Sequence, residues 1–168
     1  MMETLILSAA ALALFLGPAA AHAGTVIEVS AGSGFRFDPS PVERIPTNLM
    51  IAPGFSFAGM LKLELGVVGN LGDVKGSKFD LDLRPMLVVS PPLFPVYARG
   101  IFAVTNLANG PRKIQYGGAL GVSFGALGFG AFVEAGLVPR VVEVTDATGS
   151  KSDKTYWLAE GRLGAYWD

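Results

Sequence analysis

Residues Lys78 to Val89 read KFDLDLRPMLVV, and their alternate positions divide into two unlike sets. Phe79, Leu81, Leu83, Pro85, Leu87 and Val89 are all apolar. Lys78, Asp80, Asp82 and Arg84 are charged, and the same parity turns apolar only at Met86 and Val88. A β-strand points successive side chains to opposite faces, so the stretch predicts a strand with one apolar side and one charged side. The fold depends on which side meets water.

Seven further segments alternate in the same manner, near 25–33, 47–58, 60–69, 96–105, 114–124, 128–138 and 154–167, which makes about eight strands in all. Two regularities run through them. Ionisable residues fall almost wholly on one parity, and connections read as long and polar after strands one, three, five and seven but short after two, four and six. The segments also match the roughly 9–11 residues of a tilted transmembrane strand.

Composition narrows the class. The chain has 168 residues, 22 of them Gly, with 16% charged residues and a mean hydropathy of +0.46. Glycine at this density disfavours long helices. Beyond the N-terminus no apolar run approaches the roughly 20 residues of a membrane-spanning helix. The opening MMETLILSAAALALFLGPAAAHAG carries an apolar run from Leu5 to Leu16, then Gly17-Pro18 and the small-x-small site Ala21-His22-Ala23. That pattern predicts a secretory signal peptide over 1–23, cleaved after Ala23, and a domain over 24–168. Its leading residues carry Glu3 and no cation, unlike an ordinary signal. A membrane anchor is the rival reading, for which the apolar run is short. Without Glu3 the remaining chain holds 13 acids and 13 bases, so no basic surplus exists for nucleic acid. There is no Cys, and the single histidine, His22, lies in the predicted signal.

In a soluble lipocalin-like barrel the apolar face would line the cavity and the polar face would meet water. Here the polar parity is filled with small residues, as in Gly117, Ala119, Gly121 and Ser123. A water-facing surface is richer in Lys, Glu and Thr. Small residues among a few long charged ones suit a narrow lumen, and Tyr97, Tyr116, Trp157 and Trp167 near strand ends suit an interfacial aromatic girdle. Short turns on one rim and long loops on the other complete the pattern. The expectation is an all-β fold, a closed antiparallel up-and-down transmembrane β-barrel of eight strands whose apolar face meets lipid.

In this pattern, rather than in any single motif, residues 24–168 resemble the small eight-stranded bacterial outer-membrane barrels of the OmpA/OmpX type. The resemblance implies an outer-membrane location, both termini in the periplasm, long loops outside the cell and outer-membrane lipid as the surrounding partner. The final segment WLAEGRLGAYWD looks like the family's C-terminal signal to the barrel-assembly machinery, with Leu163, Ala165 and Trp167 at alternate positions; it departs in ending on Asp168. Pro53 and Pro85 fall inside strands of a barrel that has no free edge, which predicts a bulge or a local break in the ladder at each.

Parity assigns Glu28, Lys62, Glu64, Asp80, Asp82, Arg84, Arg99, Glu134, Glu160 and Arg162 to a charge network in the lumen, with a rim position in water as the alternative for Lys62, Asp80 and Glu160. Buried charges must pair, since desolvation costs several kcal/mol per ion. Counting from a hairpin centred near Asp73 sets Glu64 across from Arg84. Similar counting sets Arg99 and Glu134 on either side of the sixth strand at Ala119, whose small side chain lets them meet. Asp80 and Asp82 beside Arg84 read as salt-bridge partners rather than a hydrolytic pair. Without a histidine or cysteine in the mature chain, histidine-based catalysis and a His or Cys metal site are excluded. Asp146 and Asp153 flank ATGSKS at a spacing that matches no EF-hand loop. The expected role is structural or interactive, with a plugged barrel displaying its loops, no enzyme chemistry and no cofactor. The alternatives are a narrow channel or small apolar-ligand conduit opening where Pro53 or Pro85 breaks pairing, and a soluble periplasmic lipocalin-like binder. No loop carries a recognisable ligand signature, so the loops' partner is unknown.

Overall fold

The computed structural model describes residues 23–38, 43–71, 79–92, 94–108, 112–145 and 149–168. Residues 1–22 of the predicted signal, 1–23, lie outside them. Eight antiparallel strands follow in chain order: β1 Ala23–Asp38, β2 Glu43–Phe57, β3 Leu61–Asn70, β4 Asp80–Val89, β5 Val96–Thr105, β6 Lys113–Ala126, β7 Phe129–Thr145 and β8 Lys151–Trp167. Each pairs with its sequence neighbours, and β8 returns to β1, so the sheet closes into a barrel.

Alternation sets the two faces. In β4, Asp80, Asp82, Arg84, Met86 and Val88 are buried inside while Leu87 and Val89 are exposed on the outer wall. The outer wall is apolar right round the barrel: Ile27, Ile51, Leu63, Leu87, Val96, Leu120, Val133 and Leu163, one from each strand, are each 43–71% exposed. A water-soluble monomer rarely exposes contiguous apolar surface beyond a few hundred Å².

The two shortest turns are built from backbone with positive φ. Ala58 and Gly59 (φ 56° and 65°) join β2 to β3, and Leu127 and Gly128 (φ 56° and 79°) join β6 to β7. Two consecutive positive φ values match the twist of the flanking strands, which is why such turns close hairpins. Ala23 lies opposite Phe57, and Trp167 opposite Ile27 and Phe129, so the described chain starts and ends at this short-turn rim.

At the other rim the strands differ from expectation. Strands one, two, seven and eight run beyond 25–33, 47–58, 128–138 and 154–167, and β7 and β8 stay paired from Phe129↔Trp167 to Thr145↔Lys151. Much of what reads as long polar connection after strands one and seven is therefore strand. The connections shrink to residues 39–42 and 146–150. Val141, Val142, Val144 and Thr145 are β-branched and favour extended backbone, which outweighs the polar character of the neighbouring residues. Asp146 lies outside the described residues, as do the side chain of Asp153 and any ion ligation by the two.

Both prolines interrupt a ladder without shifting it. Between β2 and β3 the pairs run to Ile51↔Val67 and resume at Gly54↔Glu64; between β4 and β5 they run from Leu83↔Val104 to Met86↔Ile101. Ala52–Pro53 and Arg84–Pro85 are the skipped residues. A proline supplies no N–H to a ladder, and the outcome is a local break rather than a bulge.

Candidate functional site

The site is the lumen, and its centre is Arg99 on β5. The guanidinium meets Glu28 of β1 through two bonds, Nη1 donating to Oε1 at 2.9 Å and Nη2 to Oε2 at 2.6 Å. Its Nε lies 3.2 Å from Glu134 Oε2 on β7, and Nη1 lies 3.7 Å from Glu64 Oε2 on β3. Tyr97 Oη donates to Glu134 Oε2 at 2.8 Å. All four charged side chains are at most 5% exposed. A fork of donors facing a planar carboxylate is the strongest geometry an ion pair adopts.

The chain of contacts continues across the barrel. Arg162 Nε is 3.6 Å from Glu134 Oε1. Its Nη1 donates to Ser30 Oγ at 3.2 Å, and its Nη2 contacts Asn48 Oδ1 and Glu160 Oε1. Arg84 Nη1 donates to both Glu160 oxygens at 3.3 Å. Arg84 Nη2 lies 3.7 Å from Asp82 Oδ2, which also accepts from Asn70 Nδ2 at 3.1 Å. One network thus joins β1, β2, β3, β4, β5, β7 and β8, and on β6 Gln115 Nε2 donates to Thr105 Oγ1 at 3.0 Å.

β6 also contributes space. A Cβ placed on Gly121 would collide with the ring of Tyr97. On β1, a Cβ on Gly32 would lie 2.9 Å from Asn48 Oδ1, 2.9 Å from Glu160 Oε1 and 3.0 Å from Arg162 Nη2. Small residues on one wall make room for long charged ones from the other, as a lumen this narrow demands.

Register decides the partners, and one expected pair is corrected. Arg84 stands opposite Gly66, and Glu64 opposite Met86, because the β3–β4 hairpin pairs two residues further along than a centre near Asp73 implies. Arg84 reaches across the lumen to Glu160 instead. Ala119 stands beside Arg99 on one side and Gly136 on the other, and Glu134 sits one step away opposite Gly121. Asp80 is buried near the loop-side rim, where its Oδ1 accepts from the amides of Leu81 and Ala108. Lys62, at the short-turn end, lies 3.8 Å from Asp168 Oδ2 and over the ring of Tyr166.

Tyr97 is a second correction. It is 5% exposed and lies inside with Arg99, not in an outer girdle; the two share a parity, and the hydroxyl finds its partner in Glu134. Tyr116, Trp157 and Trp167 are on the outer wall, 67%, 42% and 47% exposed. Trp157 and Trp167 lie ten residues apart on β8. At about 3.3 Å per residue and a tilt of about 40°, that spacing is roughly 25 Å, the height of an outer-membrane apolar band.

Sequence reasoning also missed the neutral members Ser30, Asn48 and Asn70, although each shares the parity of its strand's charged or small residues. It missed an apolar half of the lumen as well: Met50, Ala52, Val68, Met86, Ile101, Ala103, Ala119 and Val138 form one buried cluster. Tyr97, Val88, Phe132 and Tyr166 pack together at the short-turn end. Two cavities of about 20 Å³ flank the network, one lined by Asn70, Asp82, Thr105 and Gln115, the other by Glu28, Lys62, Ser90 and Ser123. Each is about large enough for one water.

No protein-family model and no curated protein matches the sequence. Among solved structures, the chain is similar to Neisserial surface protein A, with 14% identity and a TM-score of 0.57 over 87% of this chain and 98% of that one. It is also similar to the N-terminal β-barrel domain of Pseudomonas aeruginosa OprF, with 13% identity and a TM-score of 0.50 over 87% of this chain and 100% of that one. The fold is that of the small eight-stranded outer-membrane β-barrels.

Proposed function

We propose that the chain is an integral protein of the bacterial outer membrane, exported by a signal peptide cleaved after Ala23, with a structural or interaction role. The observation that carries this reading is the inversion of ordinary protein surface chemistry. Large apolar side chains cover the outside of every strand, and the ion pairs are inside. In water such a coat would drive aggregation; in a bilayer it matches the hydrocarbon, and the closed sheet leaves no strand edge unpaired. The lumen network seals the barrel against bulk flow, and the hairpins and loops at the 39–42 and 146–150 rim face outward from the cell. β8 presents the terminal strand to the assembly machinery. The soluble alternative lacks support, since its charged face would have to lie outside. The chemistry that argues against an enzyme is the absence of histidine and cysteine after residue 23.

The test is expression with the signal, followed by membrane fractionation and electrophoresis with and without boiling. The expected outcome is an outer-membrane band that migrates faster unboiled than boiled. Soluble periplasmic protein with no heat shift overturns the proposal.

A further inference from the structure

The two interrupted ladders are not independent. β3 and β4 pair without a gap from Leu61↔Val89 to Asn70↔Asp80. The gap on the β2 side falls at Leu65–Gly66 of β3, and the gap on the β5 side falls at Arg84–Pro85 of β4. Leu65 stands opposite Pro85, and Gly66 opposite Arg84. Both breaks therefore lie at one level of the wall, one on each side of the same hairpin. The other mid-ladder irregularities, after Gly32 in the β1–β2 ladder and after Arg36 in the β1–β8 ladder, are register shifts and not gaps.

Behind this level, beside the inward Arg84, the lumen carries an apolar and compliant group. A Cβ on Gly66 would sit 2.9 Å from Met50 Sδ and 3.1 Å from Met86 Cε, so both thioethers lie against the hairpin's inner face. Ala52 and Ala103, across the two gaps, are at most 1% exposed and leave the wall thin there. Methionine is unbranched and repacks readily around a guest. In hydrocarbon a skipped ladder position also leaves a carbonyl without its strand donor, which makes the closed wall less favourable there than elsewhere.

We propose that the β3–β4 hairpin is a displaceable panel of the barrel wall, through which a linear hydrocarbon chain from the bilayer reaches the Met50–Met86 half of the lumen. This rests on the reading of a membrane-inserted barrel. The panel is tied shut by Arg84 to Glu160 and by Glu64 to Arg99, at 3.3 and 3.7 Å, so access is by displacement rather than through a standing hole.

The experiment uses the folded protein in detergent micelles with 13C-methyl methionine, reading nuclear Overhauser contacts between the methyl groups and the detergent alkyl chain. Heat-shifted electrophoresis of the same sample reports barrel formation separately, so its failure overturns the membrane reading and not the panel alone. With the barrel formed, the expected result is alkyl-chain contact at Met50 and Met86, lost in the double variant Pro53→Ala/Pro85→Ala, which restores both ladder donors. Absence of alkyl contact in the native chain overturns the proposal. Contact that persists undiminished in a folded double variant also overturns it, because the chain would then enter by another route.

Discussion

Arg99 faces three carboxylates with one positive charge, and its two-bond fork selects Glu28 among them. Removing the fork takes a shared cation from Glu28, Glu64 and Glu134 and leaves Glu134 to Arg162 and Tyr97, so Arg99→Met is expected to cost about 3–5 kcal/mol. Adding Glu28→Gln should recover part of that loss, with a coupling energy larger than for Glu134→Gln. Denaturant unfolding of the five single and double variants in vesicles measures both cycles. If the Glu134 cycle shows the larger coupling, the bidentate pair is not the dominant one. The inward position of these residues was legible in the sequence, because parity alone decides it. Their partners were not. A two-residue displacement of the β3–β4 register changes who faces whom, and Arg84–Glu160 joins strands that share no ladder. Tyr97 was misplaced because its residue type suggested an interface while its parity, shared with Arg99, indicated the lumen.

At the scale of elements, β8 carries the closure. It pairs with β7 along its whole length and with β1 from Ile27↔Trp167 to Asp38↔Trp157. Trp167 packs edge-on against Phe129 at 5.3 Å between ring centres, on the outer wall at the short-turn rim. Trp167→Ala should lose roughly 0.5–1.5 kcal/mol of ring contact beyond its buried area. It should also lower the fraction of heat-shifted barrel formed at a fixed time in vesicles; an unchanged yield would remove Trp167 from assembly. Strand existence and count were readable from alternation, and the breaks at Pro53 and Pro85 followed from proline's missing N–H. The lengths of β1, β2, β7 and β8 were not readable, since polar residues such as those at 151–155 are compatible with both loop and hairpin. Only pairing with a neighbour decides between them.

For the molecule as a whole, network and apolar cluster lie side by side in the lumen, with two cavities of about one water each beside them. Planar bilayers containing the native barrel should show no steady conductance. Cutting the middle of the network with Glu160→Ala and Arg162→Ala removes one charge of each sign and should raise the conductance; an unchanged trace would mean that the path is closed elsewhere.

Charge along the barrel axis is uneven. Among the described residues six acids, Glu28, Glu64, Asp80, Asp82, Glu134 and Glu160, point inward, and so do six bases, because Arg36 stands opposite Leu158 and Lys113 opposite Thr105 on the same face as Lys62, Arg84, Arg99 and Arg162. In the sequence nine of the thirteen bases fall in or beside the connections after β1, β3, β5 and β7, whereas the short-turn rim holds only Lys62 and Asp168. In a bilayer the barrel is a pin with one charged head, and anionic headgroups grip it at that end.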